Sequence, residues 1–311
     1  MIICTGLENP TLAITKMNTI FGGDLHAGLS GLELAGSPFD LGEGILLRRT
    51  YAHQFAPFML AFAKPSIGQP HPGPWKAASG GFAFDITAEL FIPEDIEKKY
   101  ESKVGIARLV VFLLRLGVNP AITLPVFANS SFSALAKMPD SQVLLQPFEI
   151  ERRRFPLGVV GGQVTAEAAT WVKERWRTAH KLTSSHAEFE LAVDALDQGQ
   201  FVQSHALALL SLWAALEALF SPSTTELSFR VSALIAAYLE EPGTARLARQ
   251  KSIAKLYTKR SAAAHGKPNH DQKNLLDSFN LLREVLTKML DSGRVPSKED
   301  LEAKLFGAKL K

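Results

Sequence analysis

Three times in this chain of 311 residues an arginine is followed five positions later by a histidine: Arg48 and His53, Arg175 and His180, Arg260 and His265. A guanidinium grips a phosphate with two parallel hydrogen bonds, and an imidazole exchanges a proton with a ribose oxygen near neutral pH. Such a pair therefore supplies two of the parts that metal-free RNA cleavage needs. Spacing alone does not choose among the three. The first pair falls in a strand-like stretch, and the second lies in mid-helix with no stop behind it. The third closes a helical run, Leu256-Tyr257-Thr258-Lys259-Arg260-Ser261-Ala262-Ala263-Ala264-His265, and is followed by Gly266 and Pro268. Glycine just past a last turn permits the left-handed cap, and proline cannot continue a helix. His265 is thus expected at a helix C-terminus, where unpaired carbonyls favour a cation and stabilise imidazolium. A histidine there either caps those carbonyls or gives a proton to a departing oxygen.

Cleavage needs a base for the 2′-hydroxyl, an acid for the 5′-oxygen and donors for the phosphorane charge, and one histidine does not easily serve as both base and acid. Two copies meeting on a two-fold axis supply the second histidine, so a homodimer is part of the expectation. Arg260 has a competing use as a structural bridge to Glu217 or Glu226, and a carboxylate in an apolar helix such as Glu217 must find a partner. Tyr257, one turn before Ser261, either stacks on a base or fills the bundle edge. Lys255, Lys259, Lys267 and His270 form either a basic rim for RNA or a solvated face. His180, His186 and His205 make no tight pair with a carboxylate, and no metal site is expected.

These residues must be positioned by two differently textured halves. Turn formers punctuate the first, notably Gly36-Ser37-Pro38, Gly42, Gly44 and the stretch from Pro65 to Gly81. Strands are predicted at Ile45–Leu47, Phe82–Ile86 and Val143–Ile150, and a helix over Pro93–Leu116. None of the glycine-rich pieces spells a phosphate-binding loop. After Gly161-Gly162, residues rich in Ala, Leu, Lys, Arg and Glu predict helices at Thr165–Lys181, His186–Asp197, Phe201–Phe220, Glu226–Leu239, Thr244–His265 and Asp271–Leu290, with a last one capped by Ser297 and Asp300. Trp171, Trp176 and Trp213 are read as core or interface. The fold expected is α+β: a mixed, β-rich domain over residues 1–162, followed by an all-helical domain over 163–311.

Composition sets outer bounds. With 46% hydrophobic and 21% charged residues the chain reads as ordinary globular protein. Its single cysteine, Cys4, allows no intrachain disulfide or cysteine zinc site, which points to a reducing cytoplasm. The opening MIICTGLENP does not read as a secretory signal. The apolar run Val104–Val118 carries Arg108 and Arg115 and is shorter than the about 20 residues of a membrane span, so it reads as a buried helix and no membrane partner is expected. A net charge of +3 is compatible with a polyanion without requiring one.

Four separated patches add a family likeness. They are Ser211-Leu-Trp213-Ala-Ala-Leu-Glu217-Ala-Leu-Phe220, Glu226-Leu-Ser-Phe-Arg230-Val-Ser-Ala-Leu234, Leu256-Tyr257-Thr-Lys-Arg260-Ser261 and His265-Gly266, in that order on successive helices. Together they resemble the Apea-like branch of the HEPN superfamily over about Phe201 to Leu290. Phe39-Asp-Leu-Gly-Glu-Gly-Ile45 faintly resembles the domain that precedes HEPN in such proteins.

The resemblance implies a bundle of four to five helices, homodimerisation, and metal-independent, cofactor-free endoribonuclease activity in toxin, antiphage and RNA-processing systems. Arg260 and His265 match the family's Arg-x4–6-His motif, Ser261 fills the polar position after the arginine, and Glu217 matches the acidic residue on the preceding core helix. The catalytic set implied is therefore Arg260, His265, Glu217 and Ser261; the residues that would face RNA, Lys259, Lys267, Tyr257 and His270, follow from the basic-rim and base-stacking readings above and not from the resemblance. The chain departs from toxins paired with nucleotidyltransferase antitoxins, which carry a tyrosine two residues after the histidine; Lys267 stands there, and that regulation is not implied. The N-terminal domain is assigned to sensing or to recruitment of a protein partner. Two alternatives stay open: a non-catalytic HEPN module that binds RNA or protein and signals, and a structural assembly subunit.

Overall fold

The structure is a computed structural model that describes residues 21–56, 58–78, 81–150, 162–202, 204–220, 227–264 and 272–307. The chain divides into two compact units, Met1–Arg152 with Val160–Lys173, and Arg153–Val159 with Glu174–Lys311.

The first unit is built on strands β1 (Leu25–Ser30), β2 (Glu33–Leu34), β3 (Phe39–Gly42), β4 (Ile45–Ala56), β5 (Met59–Ala61), β6 (Trp75–Ala77), β7 (Phe82–Ile92), β8 (Thr123–Ala128), β9 (Leu145–Pro147) and β10 (Gln163–Val164). Six form one antiparallel sheet in the order β3-β4-β7-β1-β8-β9, while β10 pairs with β2 and β5 with β6. Alternation explains the buried face: Leu25, Ala27 and Leu29 of β1 stand opposite Ile92, Leu90 and Ala88 of β7, all fully buried. Helix α1 (Lys103–Gly117) packs against β1 and β7. The short helix α2 (Phe132–Leu135) brings Phe132 into a second buried cluster with Ile86, Val126 and Ala128.

The predicted strand at Ile45–Leu47 runs on to Ala56, because its ladder with β7 extends from Leu46↔Phe91 to Ala56↔Phe82 across one bulge. Between β3 and β4, Gly42, Glu43 and Gly44 all take positive φ, the conformation for which glycine is suited. The helix predicted over Pro93–Leu116 is broken: a 3-10 turn covers Glu94–Lys98, and Ser102 then caps α1 by accepting from the Gly105 amide at 2.9 Å. Two buried cations of α1 find partners inside the fold. Lys103 donates to the carbonyls of Phe21 and Gly23 at 2.7 and 2.6 Å, and Arg115 donates to the Ile122 carbonyl and pairs with Glu149. Of the strand predicted over Val143–Ile150, only Leu145–Pro147 enters the ladder.

The remaining helices are α3 (Ala166–Ser185), which contains the boundary between the units, α4 (Ala187–Gln198), α5 (His205–Phe220), α6 (Leu227–Leu239), α7 (Thr244–Ala264), α8 (Gln272–Ser292) and α9 (Lys298–Leu305). Helix α5 packs on α4, α6, α7 and α8, and α7 packs on α6. Helix α5 buries one broad face, with Leu209, Leu212, Trp213, Leu216 and Phe220, while Leu207, Ala214 and Ala218 on the opposite face are exposed. Ser297 and Asp300 form a reciprocal capping box at the start of α9. No helix among the described residues is long and apolar enough to cross a membrane. The α+β class and the helical character of the second half agree with the sequence reading.

Candidate functional site

Helix α7 is the longest in the second unit together with α8, and its last two turns carry Tyr257, Lys259, Arg260 and Ser261. Helical spacing sends these residues in different directions. Tyr257 is buried at 8% exposure, Arg260 and Ser261 are half-buried, and Lys259 is exposed. Arg260 meets Glu217 of α5, its Nη2 lying 3.2 Å from Oε1 and donating to Oε2 at 3.4 Å. The side chains of the two are 25% and 20% exposed, so the pair is shielded but still reached by solvent.

What holds the pair in place is a stack of rings. The Trp213 indole is fully buried and donates from Nε1 to Ser278 Oγ of α8 at 3.1 Å. Its ring meets Tyr257 edge to face, with centroids 5.1 Å apart and planes at 88°. The Arg260 guanidinium carbon then sits 5.5 Å from the Tyr257 ring centroid, a cation–π distance. Burial raises the Tyr257 phenol above its ordinary pKa, and the neighbouring Glu217 carboxylate raises it further. Tyr257 thus stays neutral and serves as a shelf for Arg260. Its ring is engaged by Trp213 and Arg260, so the structure uses it in the core and not for base stacking.

Two polar atoms of the site, Glu217 Oε1 and Arg260 Nε, are buried without a hydrogen bond among the described residues. Unsatisfied buried groups are costly, and their concentration on one ion pair marks it as unlike an ordinary surface bridge. His265, Lys267 and His270, with Gly266 and Pro268, lie outside the described residues. The described portion of the candidate site is therefore Arg260, Glu217, Tyr257, Ser261 and Lys259. The structure unites Arg260 with Glu217, and resolves the choice between Glu217 and Glu226 only as far as the first, since Glu226 also lies outside.

The other two Arg/His pairs are spent differently. Arg48 donates to buried Glu89 at 2.7 Å, whereas His53 is bound to Asp85 at 2.8 Å, so each member has a carboxylate of its own. Arg175 is held by Asp291 at 2.7 Å and by Glu174 at 3.1 Å. Sequence reading missed Ser278, whose hydroxyl fixes the indole. The signal for it is a serine set among Leu275, Phe279 and Leu282 on the apolar stripe of α8.

No family model, curated protein or solved structure matches this chain.

Proposed function

We propose that the second unit is an HEPN-type endoribonuclease that cuts RNA without a metal, at a site shared by two copies of the chain. The observation that carries this reading is the Arg260–Glu217 pair. A guanidinium on a side chain 25% exposed is set by a carboxylate and an aromatic shelf near the end of the helix that leads to His265. The three sequence patches 211–220, 227–234 and 256–261 lie on α5, α6 and α7, which pack on one another, and this supports the resemblance that first linked them.

In this reading Arg260 holds the scissile phosphate and balances the charge of the phosphorane, Glu217 fixes the direction of the guanidinium, and Ser261 offers a hydroxyl beside it. His265 of one copy accepts the 2′-hydroxyl proton while that of the second protonates the leaving 5′-oxygen, which yields a 2′,3′-cyclic phosphate. Lys259, Lys267 and His270 would draw in the polyanion. The first unit senses a trigger or recruits a partner, and antiphage defence or a toxin system is the setting.

A second reading, a non-catalytic HEPN module that binds RNA or protein, is favoured by the fact that Arg260 already has a carboxylate partner. The two separate by experiment. Purified protein is incubated with a labelled RNA panel in chelator, beside Arg260→Ala and His265→Ala. The nuclease reading expects wild-type cleavage and loss of at least 100-fold (an order-of-magnitude expectation for positioned acid–base groups) in both variants. A folded dimer that cuts no RNA would establish the second.

A further inference from the structure

Helix α7 carries Arg246, Arg249, Lys251, Lys255, Lys259 and Arg260, and no aspartate or glutamate. The structure divides these cations into two groups. Arg246 donates to the carbonyls of Glu240 and Lys304, both at 2.9 Å, Arg249 pairs with Glu284 of α8, and Arg260 pairs with Glu217. The arginines are partly buried and tie α7 to its neighbours. The lysines are exposed, and no hydrogen bond or ion pair engages them among the described residues. They stand four positions apart. Each is therefore about 6 Å further along the axis than the last and about 40° further round it, so Lys251, Lys255 and Lys259 form one row. By the same geometry the row turns toward the flank that carries Arg260.

Like charges one helical turn apart repel, and an anion laid along the row relieves that repulsion. A phosphate backbone is an anion of this form, a line of single charges that ammonium groups on flexible stems can follow. We propose that Lys251, Lys255 and Lys259 are a track for the RNA backbone, holding successive phosphates of the strand whose scissile phosphate lies at Arg260. This deepens the nuclease reading and rests on it for the place of the cut. The residues exposed on α7 beside the lysines argue against a lipid surface. Apart from Leu247 in the first turn they are small or polar, Ala248, Ser252 and Thr258 among them, whereas a helix lying on an anionic membrane presents Trp, Phe or Leu opposite its cations. The apolar side of α7 is spent on the bundle, where Ile253 and Tyr257 are buried. Phosphate contacts carry no sequence information, so the track sets the side on which the strand must extend and not the bases it holds.

The test separates binding from cleavage. Fluorescence anisotropy of the full chain is followed over a series of KCl concentrations with a labelled 2′-O-methyl uridine strand of about 12 nucleotides, within the range of single-strand site sizes. The strand has no free 2′-hydroxyl and cannot be cut by this route. Lys251→Gln/Lys255→Gln/Lys259→Gln should lower the slope of log affinity against log salt by about 2, at about 0.7 for each phosphate neutralised on a single strand. The corresponding triple arginine variant should restore the wild-type slope, and circular dichroism melts check that each variant is folded. Wild-type protein that fails to bind the strand, or a folded glutamine variant with an unchanged slope, would overturn the proposal. An unchanged slope together with lost adsorption to vesicles containing phosphatidylserine would give the row to lipid instead. Lysine-dependent binding by a protein that leaves ordinary RNA intact would keep the track and remove the nuclease reading; cleavage with an unchanged slope would do the reverse.

Discussion

The Arg260 guanidinium of α7 lies 3.2 Å from the Glu217 carboxylate of α5 and rests over the Tyr257 ring at 5.5 Å. A carboxylate and a ring together thus contact the guanidinium. This geometry separates two roles for Glu217, as a group acting through Arg260 or as one acting independently. If it acts through Arg260, the double variant Glu217→Ala/Arg260→Ala cuts RNA no more slowly than Arg260→Ala alone. In urea melts the same cycle should give a coupling of about 1 kcal/mol, as expected of a partly shielded pair. Additive losses in both assays would show that the two residues work separately.

Tyr257 is read as a shelf and not as a ligand for bases. Tyr257→Phe keeps the shelf and should change stability by less than about 1 kcal/mol, whereas Tyr257→Ala empties a buried site against Trp213 and should cost about 3–5 kcal/mol. The phenol also carries a pH signature. Burial and then Glu217 raise its folded pKa above the ordinary tyrosine value. Its contribution to stability is therefore complete below that ordinary value and is lost as pH rises through the folded one. Alkaline melts of Tyr257→Phe should lack this part of the wild-type slope; an unchanged slope would contradict the assignment.

Glu89 ties three elements of the first unit together. Its Oε1 accepts from His26 Nδ1 at 2.9 Å and from Arg48 at 2.7 Å, and its Oε2 accepts the Phe132 amide at the start of α2 at 2.9 Å. Burial pushes this carboxyl up, but the His26 hydrogen bond, the Phe132 amide and the charges of His26 and Arg48 outweigh it and hold it below the usual carboxylate value. A depressed folded pKa stabilises above the ordinary carboxylate value, and the benefit is lost as pH falls through the folded one. Glu89→Gln should cost about 3 kcal/mol at neutral pH and flatten the acid limb of the stability profile. A variant as stable as wild type at pH 7 would refute the network's role.

Close approach at Gly28 is testable in the same assay. A Cβ there would lie 2.8 Å from Phe132 Cζ and 3.0 Å from Ile86 Cδ1, inside the cluster that seats α2. Gly28→Ala should therefore destabilise by about 1–3 kcal/mol. Gly22→Ala, where a Cβ meets nothing within 4 Å, is the control and should be near neutral.

How far the fold could be read in advance follows from which signals are local. Helix α7 was legible from its composition and α9 from Ser297 and Asp300, because propensity and caps act within a few residues. The length of β4 was not, since Arg48, Arg49 and Thr50 break the apolar run and the strand is held by its ladder with β7, a partner about 35 residues away. The start of α1 rests on a local cap, the Ser102 hydroxyl accepting from the Gly105 amide, which the longer apolar run from Pro93 masked in the sequence. At the site, Glu217 was one of two partners the sequence offered Arg260, because a carboxylate in an apolar helix demands a cation, and choosing it over Glu226 takes the packing of α5 on α7. Ser278 was not found, as its value lies in a hydrogen bond to an indole 65 positions away.

The central claim is that this chain cuts RNA by attack of the 2′-hydroxyl at a site containing Arg260 and His265. The most direct measurement is the mass of the 3′ ends released from a defined RNA by the purified full-length protein in chelator. The fragments released should end in 2′,3′-cyclic phosphate and form at least about 100-fold more slowly with Arg260→Ala and with His265→Ala. Intact RNA, 3′-hydroxyl ends, or cyclic ends produced equally by both variants would contradict it.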